Sequence, residues 1–295
     1  METHVYFGTA GWSYADWKQT VYPEQPPARF DELTYISSYF DTIELNNTFY
    51  RPPGKNMSDN WVKKTSHNAN FKFTAKLWQK FTHEKESFSS EDEKLFKEGI
   101  NPLQEHNKLG ALLIQYPWSF KYGQDTIRLL NEVIARFKEY PLIVEFRHNS
   151  WLSNNVVLPL LQEQAVGFCN IDQPIIGDSI KPSDFITSDI GYIRLHGRNY
   201  KDWFRKDAGR DARYNYLYTD KELETWIEKI KIMKIKAKAI YVIANNHFRG
   251  QAPANALQMK SLLFNEKVEI PEQLLKTFPF LKEFQKTNSP DSASK

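Results

Sequence analysis

The stretch YVIANNHFRGQAPANA, residues 241–256, decides how the chain is interpreted. It begins as a β-strand with Tyr241, Val242 and Ile243, and after Gly250 it continues as a helix-like segment. Four hydrogen-bonding side chains separate the strand from the helix: Asn245, Asn246, His247 and Arg249. Their position requires an explanation, because polar groups at the end of a buried strand are costly unless they are paired or solvated.

Seven further β-rich runs precede this one, at residues 5–11, 42–50, 71–77, 110–117, 142–148, 166–172 and 191–197. Helical patterns lie between most of them, and two have apolar residues at 3.6-residue spacing: Ile127, Leu130, Ile134 and Phe137, and Leu223, Trp226, Ile227 and Ile230. Thr219 and Glu222 form a capping-box pattern that starts the second of these helices. Eight strands alternating with helices predict a single (β/α)8 TIM-type barrel. A doubly wound open sheet is the alternative, but no GxGxxG or GxxxxGK[ST] follows any strand.

Composition limits the class of protein. The chain has 295 residues, of which 41% are hydrophobic and 25% charged, as in folded globular proteins. The net charge of +3 does not by itself indicate a nucleic-acid partner. Cys169 is the single cysteine, so a disulfide framework is excluded and a reducing cytoplasm is expected. No signal-peptide pattern and no apolar run near the roughly 20 residues of a membrane span is present, so no membrane partner is expected.

The element order predicts three segments. Residues 4–265 are expected to form the barrel, residues 266–286 a C-terminal helical extension, and residues 287–295 a disordered tail, because TNSPDSASK is small and polar. No linker or internal repeat indicates a second domain, and the sequence leaves the oligomeric state open.

Polar side chains recur near the carboxyl ends of the predicted strands. They are Glu44, Asn46, Lys76, Gln115, Glu145, Arg147, Asp172, Arg194, His196, Asn245, Asn246 and His247. In a barrel these ends form the face that carries the active site, so a polar ligand pocket is expected there. Interior salt bridges that only fill the barrel are the structural alternative for any one of them. Asn245 and Asn246 cannot both face inward along a regular strand, so one of them is expected to serve the loop.

Several motifs carry a resemblance to a known family. They include FGTAGWSYADW (7–17), FDTIELNNTFYRPP (40–53), FKFTAKLWQKFTH (71–83), VEFRHNSW (144–151), YIRLHGRN (192–199) and ANNHFRGQAPANA (244–256). Through them the chain resembles the YecE-like family, also called domain of unknown function 72, from about residue 5 to residue 263. The resemblance implies a (β/α)8 barrel and no particular activity. Ala244 stands where relatives often have Phe, which bears on the wall of the pocket.

The charges in the predicted pocket favour an anionic ligand. Arginine suits phosphate and carboxylate, and barrels often place phosphate near the loops after strands seven and eight, which here contain Arg198 and Arg249. The sequence therefore predicts an enzyme, a hydrolase or lyase without a recognised cofactor motif, that acts on a small phosphorylated or carboxylated molecule. Four residues are assigned to catalysis: Glu44, Lys76, Glu145 and His196. Nine are assigned to substrate binding: Asn46, Gln115, Arg147, Asp172, Arg194, Arg198, Asn245, Asn246 and His247.

The roles within this set differ. Glu145 or His196 is expected to act as general base or acid, and Arg147 and Arg194 to orient the anion. Lys76 could form a Schiff base, but a role as charge partner of Glu44 or of the substrate is preferred. A divalent metal could be held by Glu44, Glu145, Asp172, His196 and His247, although the neighbouring cations disfavour it and no metal motif is present.

The segment RNYKDWFRKDAGRDARYNYLY, residues 198–218, keeps an alternative open. Its basic residues interleave with Tyr200, Trp203, Phe204, Tyr214, Tyr216 and Tyr218, which could hold phosphates and stack bases of a nucleic acid, with or without phosphodiester cleavage. An active-site lid or packed rim is the preferred interpretation because the charge excess is small. Trp12, Tyr14, Trp17, Phe49 and Tyr50 are expected to add an aromatic wall. A non-catalytic scaffold, with its polar strand ends fully self-paired, is the third possibility.

Overall fold

The computed structural model describes residues 3–84, 88–203, 205, 207 and 209–286; the predicted tail, 287–295, lies outside them. Eight parallel strands form a closed barrel in which each pairs with its sequence neighbours and the first pairs with the last. They are β1 (His4–Ala10), β2 (Thr42–Leu45), β3 (Lys72–Lys76), β4 (Leu109–Gln115), β5 (Leu142–Glu145), β6 (Gly167–Asp172), β7 (Ile190–Leu195) and β8 (Ala239–Ala244). The barrel prediction is confirmed, and closure excludes the open sheet.

Helices connect the strands. They are α1 (Glu32–Ile36), α2 (Asn47–Tyr50), α3 (Lys55–Lys64), α4 (Ser90–Glu105), α5 (Gln124–Phe137), α6 (Val157–Glu163), α7 (Gly209–Arg213), α8 (Asp220–Met233), α9 (Gln251–Phe264) and α10 (Glu272–Thr277). The predicted apolar stripe of α8 is buried, and the Glu222 carboxylate accepts a 2.9 Å hydrogen bond from the Thr219 N–H, which caps that helix. No helix among the described residues is long and apolar enough to cross a membrane.

The barrel interior changes from apolar to charged along its axis. Near the amino-terminal ends, the rings of Tyr6 and Tyr241 stack with centroids 4.7 Å apart. One layer higher, the Tyr192 hydroxyl lies 2.9 Å from Glu44 and 2.8 Å from the Thr74 hydroxyl. Above this layer the inward positions carry charged and amide side chains, which places the polar part of the core at the carboxyl ends of the strands.

The chain beyond α9 packs back against the loop that follows β1. Residues 266–286 contain α10 and a 3-10 helix, Pro279–Glu283. Gln273 and Thr277 of α10 donate hydrogen bonds to the carbonyls of Gln19 and Thr20, and Leu274 is fully buried. Residues 266–286 therefore help to hold in place the loop that follows β1.

Candidate functional site

A cavity of about 510 Å³ opens at the carboxyl ends of the strands. The residues that line it are Gly11, Trp12, Ser13, Tyr14, Asn46, Asn47, Phe49, Tyr50, Lys76, His83, Gln115, Arg147, Arg194, Tyr214, Asn245 and His247. Seven of them were assigned to the site from sequence: Asn46, Lys76, Gln115, Arg147, Arg194, Asn245 and His247. Its size suits a small-molecule ligand.

A buried arginine between two glutamates forms the floor of the cavity. Arg194 of β7 donates to Glu44 of β2 at 2.7 Å and to Glu145 of β5 at 2.6 Å. Both carboxylates are fully buried, so without this guanidinium they would be uncompensated charges in a low-dielectric interior. Arg194 is therefore committed to the protein, and its predicted role of orienting a substrate anion is limited to the part of its guanidinium that reaches the cavity.

Glu145 has a second cation beside it. The Nε of Arg147 donates to Glu145 at 2.7 Å, and Arg147 also lies 3.3 Å from the Gln173 side chain. Burial raises the pKa of Glu145, but the charges of Arg147 and Arg194 outweigh burial and hold that pKa well below its usual range. Glu145 therefore stays ionised at neutral pH, but a carboxylate whose pKa lies this far below neutrality is a weak base, so the structure does not favour its predicted role in proton transfer.

His196 lies beneath the cavity and not on its surface. Burial and the charges of Arg147 and Arg194 lower the pKa of His196 to about 3, so the imidazole is neutral at physiological pH. Its Nδ1 lies 2.8 Å from the amide nitrogen of Asn245, and its Nε2 lies 3.2 Å from Arg147. These contacts position Asn245 and Arg147, and the expectation that His196 exchanges protons near pH 7 is corrected.

Lys76 of β3 reaches the cavity beside the Phe49 ring. Its side-chain nitrogen lies 4.1 Å from the centroid of the Phe49 ring, and within the part of the chain that the structure describes it has no hydrogen bond or ion pair. Burial and the charge of Arg194 lower the pKa of Lys76 to about 7. Glu44, one of the two expected charge partners of Lys76, binds Arg194 instead, so that part of the prediction is corrected, and a role of Lys76 as partner of a substrate anion stays a prediction.

The two adjacent amides that follow β8 point in different directions. Asn245 lines the cavity, whereas Asn246 donates to the Tyr216 carbonyl at 2.8 Å and to the Asn255 side chain at 3.0 Å. One amide thus serves the pocket and the other anchors the loop before α8, as the strand alternation requires. Asn246 is corrected from a substrate-binding to a structural position.

Asp172 and Arg198 lie on the outer side of the barrel wall. Arg198 binds Asp172 through two hydrogen bonds of 2.8 and 2.7 Å and also pairs with Glu222 of α8. The indole nitrogen of Trp226 donates to Asp172 at 2.6 Å. Cys169 of β6 faces Glu145 in the barrel interior, and because side chains alternate along a strand, Asp172, three residues later, faces outward. The substrate-binding role predicted for Asp172 and Arg198 is therefore corrected.

Aromatic rings form the upper wall. Trp12, Tyr14, Phe49, Tyr50 and Tyr214 line the cavity. Tyr14 stacks on His247 with centroids 4.3 Å apart, which gives the imidazole a flat neighbour within the wall. The wall predicted from the loops after β1 and β2 is thus present, with the exception of one tryptophan.

Trp17 belongs to the core. It is fully buried, and its indole nitrogen donates to the His247 carbonyl at 2.8 Å. It therefore joins the β1 loop to the β8 loop underneath the wall and does not face the cavity, which corrects its predicted place.

Four cavity residues are absent from the assignments made from the sequence: Gly11, Ser13, Asn47 and His83. A 3-10 helix, Gln79–Phe81, turns the chain after β3 and returns His83 toward the pocket, where its ring meets Phe49 edge-on at 4.9 Å. Burial and the charge of Lys76 lower the pKa of His83 to about 4. The available signal was the position of His83 seven residues after Lys76, in the loop that leaves the same strand end.

The segment after β7 packs over the barrel rim. The rings of Trp203 and Tyr214 lie 6.3 and 6.5 Å from that of His196, and Arg205 pairs with Asp202 at 3.0 Å. Phe204 lies outside the described residues. The aromatic residues that turn inward agree better with a rim or lid than with an open nucleic-acid groove. Among the described residues no group of three His, Cys, Asp or Glu side chains is arranged to hold a metal ion.

Fold and site together define the class: a (β/α)8-barrel protein with a charged, aromatic-walled cavity at the carboxyl ends of its strands. The chain belongs to the DUF72 family, described as a protein family of unknown function, whose family model matches residues 6–277. This match confirms the resemblance to the YecE-like family that the motifs indicated.

Relatives in this family share the length and the fold. The chain is 30% identical over 277 residues to UPF0759 protein YunF of Bacillus subtilis (strain 168), covering 88% of this chain and 94% of that one. The crystal structure of a DUF72 family protein from Thermotoga maritima MSB8 has 34% identity and a TM-score of 0.78, covering 88% of this chain and 99% of the other. One from Enterococcus faecalis V583 has 27% identity and a TM-score of 0.79, covering 91% and 98%.

Proposed function

We propose that this protein is an enzyme that acts on a small phosphorylated or carboxylated molecule in the barrel-mouth cavity. The observation that carries the proposal is the charge balance around the cavity. Three cations, Lys76, Arg147 and Arg194, face two buried carboxylates, Glu44 and Glu145. When Lys76 is protonated the cluster carries one positive charge in excess, and an anionic group of a ligand would compensate it.

Binding is assigned to the residues with atoms on the cavity surface. Arg147 is positioned by Glu145 and keeps 13% of its side chain exposed, so it can add a bond to a ligand anion. Asn46, Gln115 and Asn245 supply uncharged hydrogen bonds that orient the ligand. The aromatic wall offers a face for a flat or apolar part of the same molecule.

Proton transfer is assigned to Lys76. A general acid or base works best when its pKa lies near the operating pH, and burial with the neighbouring Arg194 lowers the pKa of Lys76 to about 7. Glu44 and Glu145 take part by holding Arg194 in place beside the amine. His196 orients Arg147 and Asn245, and its neutral imidazole does not transfer a proton in this scheme.

Calorimetric titration with a panel of small phosphorylated and carboxylated molecules, each paired with an uncharged analogue, tests the proposal. Arg147→Gln is expected to weaken binding of the charged members by about 1.5–3 kcal/mol, the value of a charged hydrogen bond. Arg128→Gln on the exposed face of α5 is the matched control and is expected to leave affinity unchanged.

Three outcomes would contradict the proposal. Unchanged affinity in a folded Arg147→Gln protein would remove the anion site. Binding of oligonucleotides alone, with a steep salt dependence, would favour the nucleic-acid alternative. An absence of binding to every member of the panel would favour the scaffold.

A further inference from the structure

The amine of Lys76 is held in a fixed place but left free to react. The backbone N–H of Lys76 donates to the Thr48 hydroxyl at 3.1 Å, and that hydroxyl donates to the Lys76 carbonyl at 2.7 Å. Thr48 lies in α2, so this exchange locks the end of β3 against the helix that also carries Phe49. The lysine backbone is therefore rigid, while the side-chain nitrogen has no hydrogen bond or ion pair among the described residues.

The surroundings of this amine exclude the usual structural role of a buried lysine. Such a lysine normally forms an ion pair, but the buried carboxylates nearby already bind Arg194 and Arg147. One side of the amine faces the Phe49 ring and the other faces the cavity. A neutral amine in this setting is a nucleophile as well as a base.

We propose that Lys76 forms an imine with an aldehyde or ketone that also carries a carboxylate or phosphate. This inference rests on the proposed function, since Arg147 would hold the anionic group while the carbonyl carbon meets the amine. It narrows the substrate class from any small anion to an anionic carbonyl compound.

The chemistry balances without an oxidant, reductant or cofactor. The nitrogen lone pair of Lys76 forms a C–N bond to the carbonyl carbon while the C=O π bond breaks onto oxygen; the oxygen takes up one proton and the nitrogen loses one, which gives a neutral carbinolamine. The nitrogen lone pair then expels the hydroxyl, which takes up a second proton and leaves as water, and loss of the second N–H proton leaves the neutral imine. Protonated, the imine accepts the electron pair from a bond broken at the adjacent carbon, which is the step that such a lysine would promote.

Reductive trapping with two probes tests this inference. Pyridoxal 5′-phosphate combines an aldehyde, a flat ring and a phosphate, and glyoxylate combines an aldehyde with a carboxylate in a smaller molecule. Each is incubated with the wild-type protein between pH 6 and pH 9, reduced with borohydride, and located by peptide mass spectrometry. We expect one label per chain at Lys76, at least tenfold faster than at exposed lysines, and a slower reaction for pyridoxal without the phosphate.

Substitutions show whether the fast labelling occurs at Lys76. Lys76→Met and Lys76→Arg should abolish the fast label, and the arginine variant keeps the charge in case the methionine variant does not fold. Lys55→Met, at the exposed start of α3, should leave it unchanged. Arg147→Gln should remove the preference for the phosphorylated probe.

Labelling spread over exposed lysines, with no excess at Lys76 for either probe, would overturn the inference. If anions still bind calorimetrically in that case, the proposed function stands and Lys76 acts only as a base. If anion binding also fails, the proposed function falls with it.

Discussion

Replacing Lys76 by methionine should change how stability depends on pH. In the folded protein the pKa of Lys76 is lowered from 10.5 to about 7, because burial and Arg194 disfavour the ammonium form. Between these two values the unfolded chain binds one more proton than the folded chain, so wild-type stability rises with pH across this window. Methionine is similar in length and apolar, and it removes this dependence while keeping most of the packing.

The size of this change in stability follows from the shift in the pKa of Lys76. Stability changes by about 1.4 kcal/mol per pH unit where the unfolded state holds one extra proton, and less close to pH 7, where half of the folded molecules are still protonated. From pH 7 to pH 9 the wild type should gain about 2 kcal/mol from this group alone. The stability advantage of Lys76→Met over wild type should therefore shrink by about 2 kcal/mol over the same interval.

Urea unfolding of both proteins at pH 7, 8 and 9 measures this difference, because the contributions of all other groups are common to both. Lys55→Met is the control, and its difference from wild type should stay flat. A flat difference for Lys76→Met would show that Lys76 does not lose its proton in this range, and would remove the basis for its proposed chemistry.

Two further predictions concern the surroundings of Lys76. Arg194→Met should lower the unfolding free energy by about 3–5 kcal/mol, because it leaves two buried carboxylates without their shared cation. The control Arg128→Met should change the unfolding free energy by no more than about 0.5 kcal/mol. Urea unfolding at pH 7 measures both variants, and equal effects would contradict the buried ion-pair triad. Asn246→Ala should lower the melting temperature without changing the trapping rate of pyridoxal 5′-phosphate, whereas Asn245→Ala should slow trapping; the reverse pattern would contradict the assigned directions of these two amides.

The fold was predictable because its signals are local. Each strand is indicated by a short β-rich run, and the helices are indicated by apolar residues at 3.6-residue spacing. The alternation of these two patterns predicts the barrel without any long-range information. Strand periodicity also predicts that Glu145 and Arg147, or Arg194 and His196, share a direction within one strand. That is why most of the predicted cluster meets at one end of the barrel.

The pairing of the charges was not predictable, because it depends on distances across the interior. Glu44, Glu145 and Arg194 come from three strands, and nothing local says that the arginine bridges both carboxylates. That bridge lowers the basicity of Glu145 and leaves Lys76 without an ion pair among the described residues. Asp172 was misplaced for a simpler reason: the sequence does not say which parity of β6 faces inward. His83 was missed because the course of a loop depends on tertiary packing.

We propose that a lysine amine with an unusually low pKa stands beside an anion-binding group in the barrel mouth. NMR titration of the protein with ¹³Cε-labelled lysine, with and without inorganic phosphate, tests both parts at once. We expect one lysine signal that titrates near pH 7, is missing in Lys76→Arg, and moves to a higher midpoint with phosphate, because a bound anion favours the ammonium form. A protein in which no lysine titrated below about pH 9, or in which the Lys76 midpoint did not respond to phosphate, would overturn this assignment of Lys76 and Arg147.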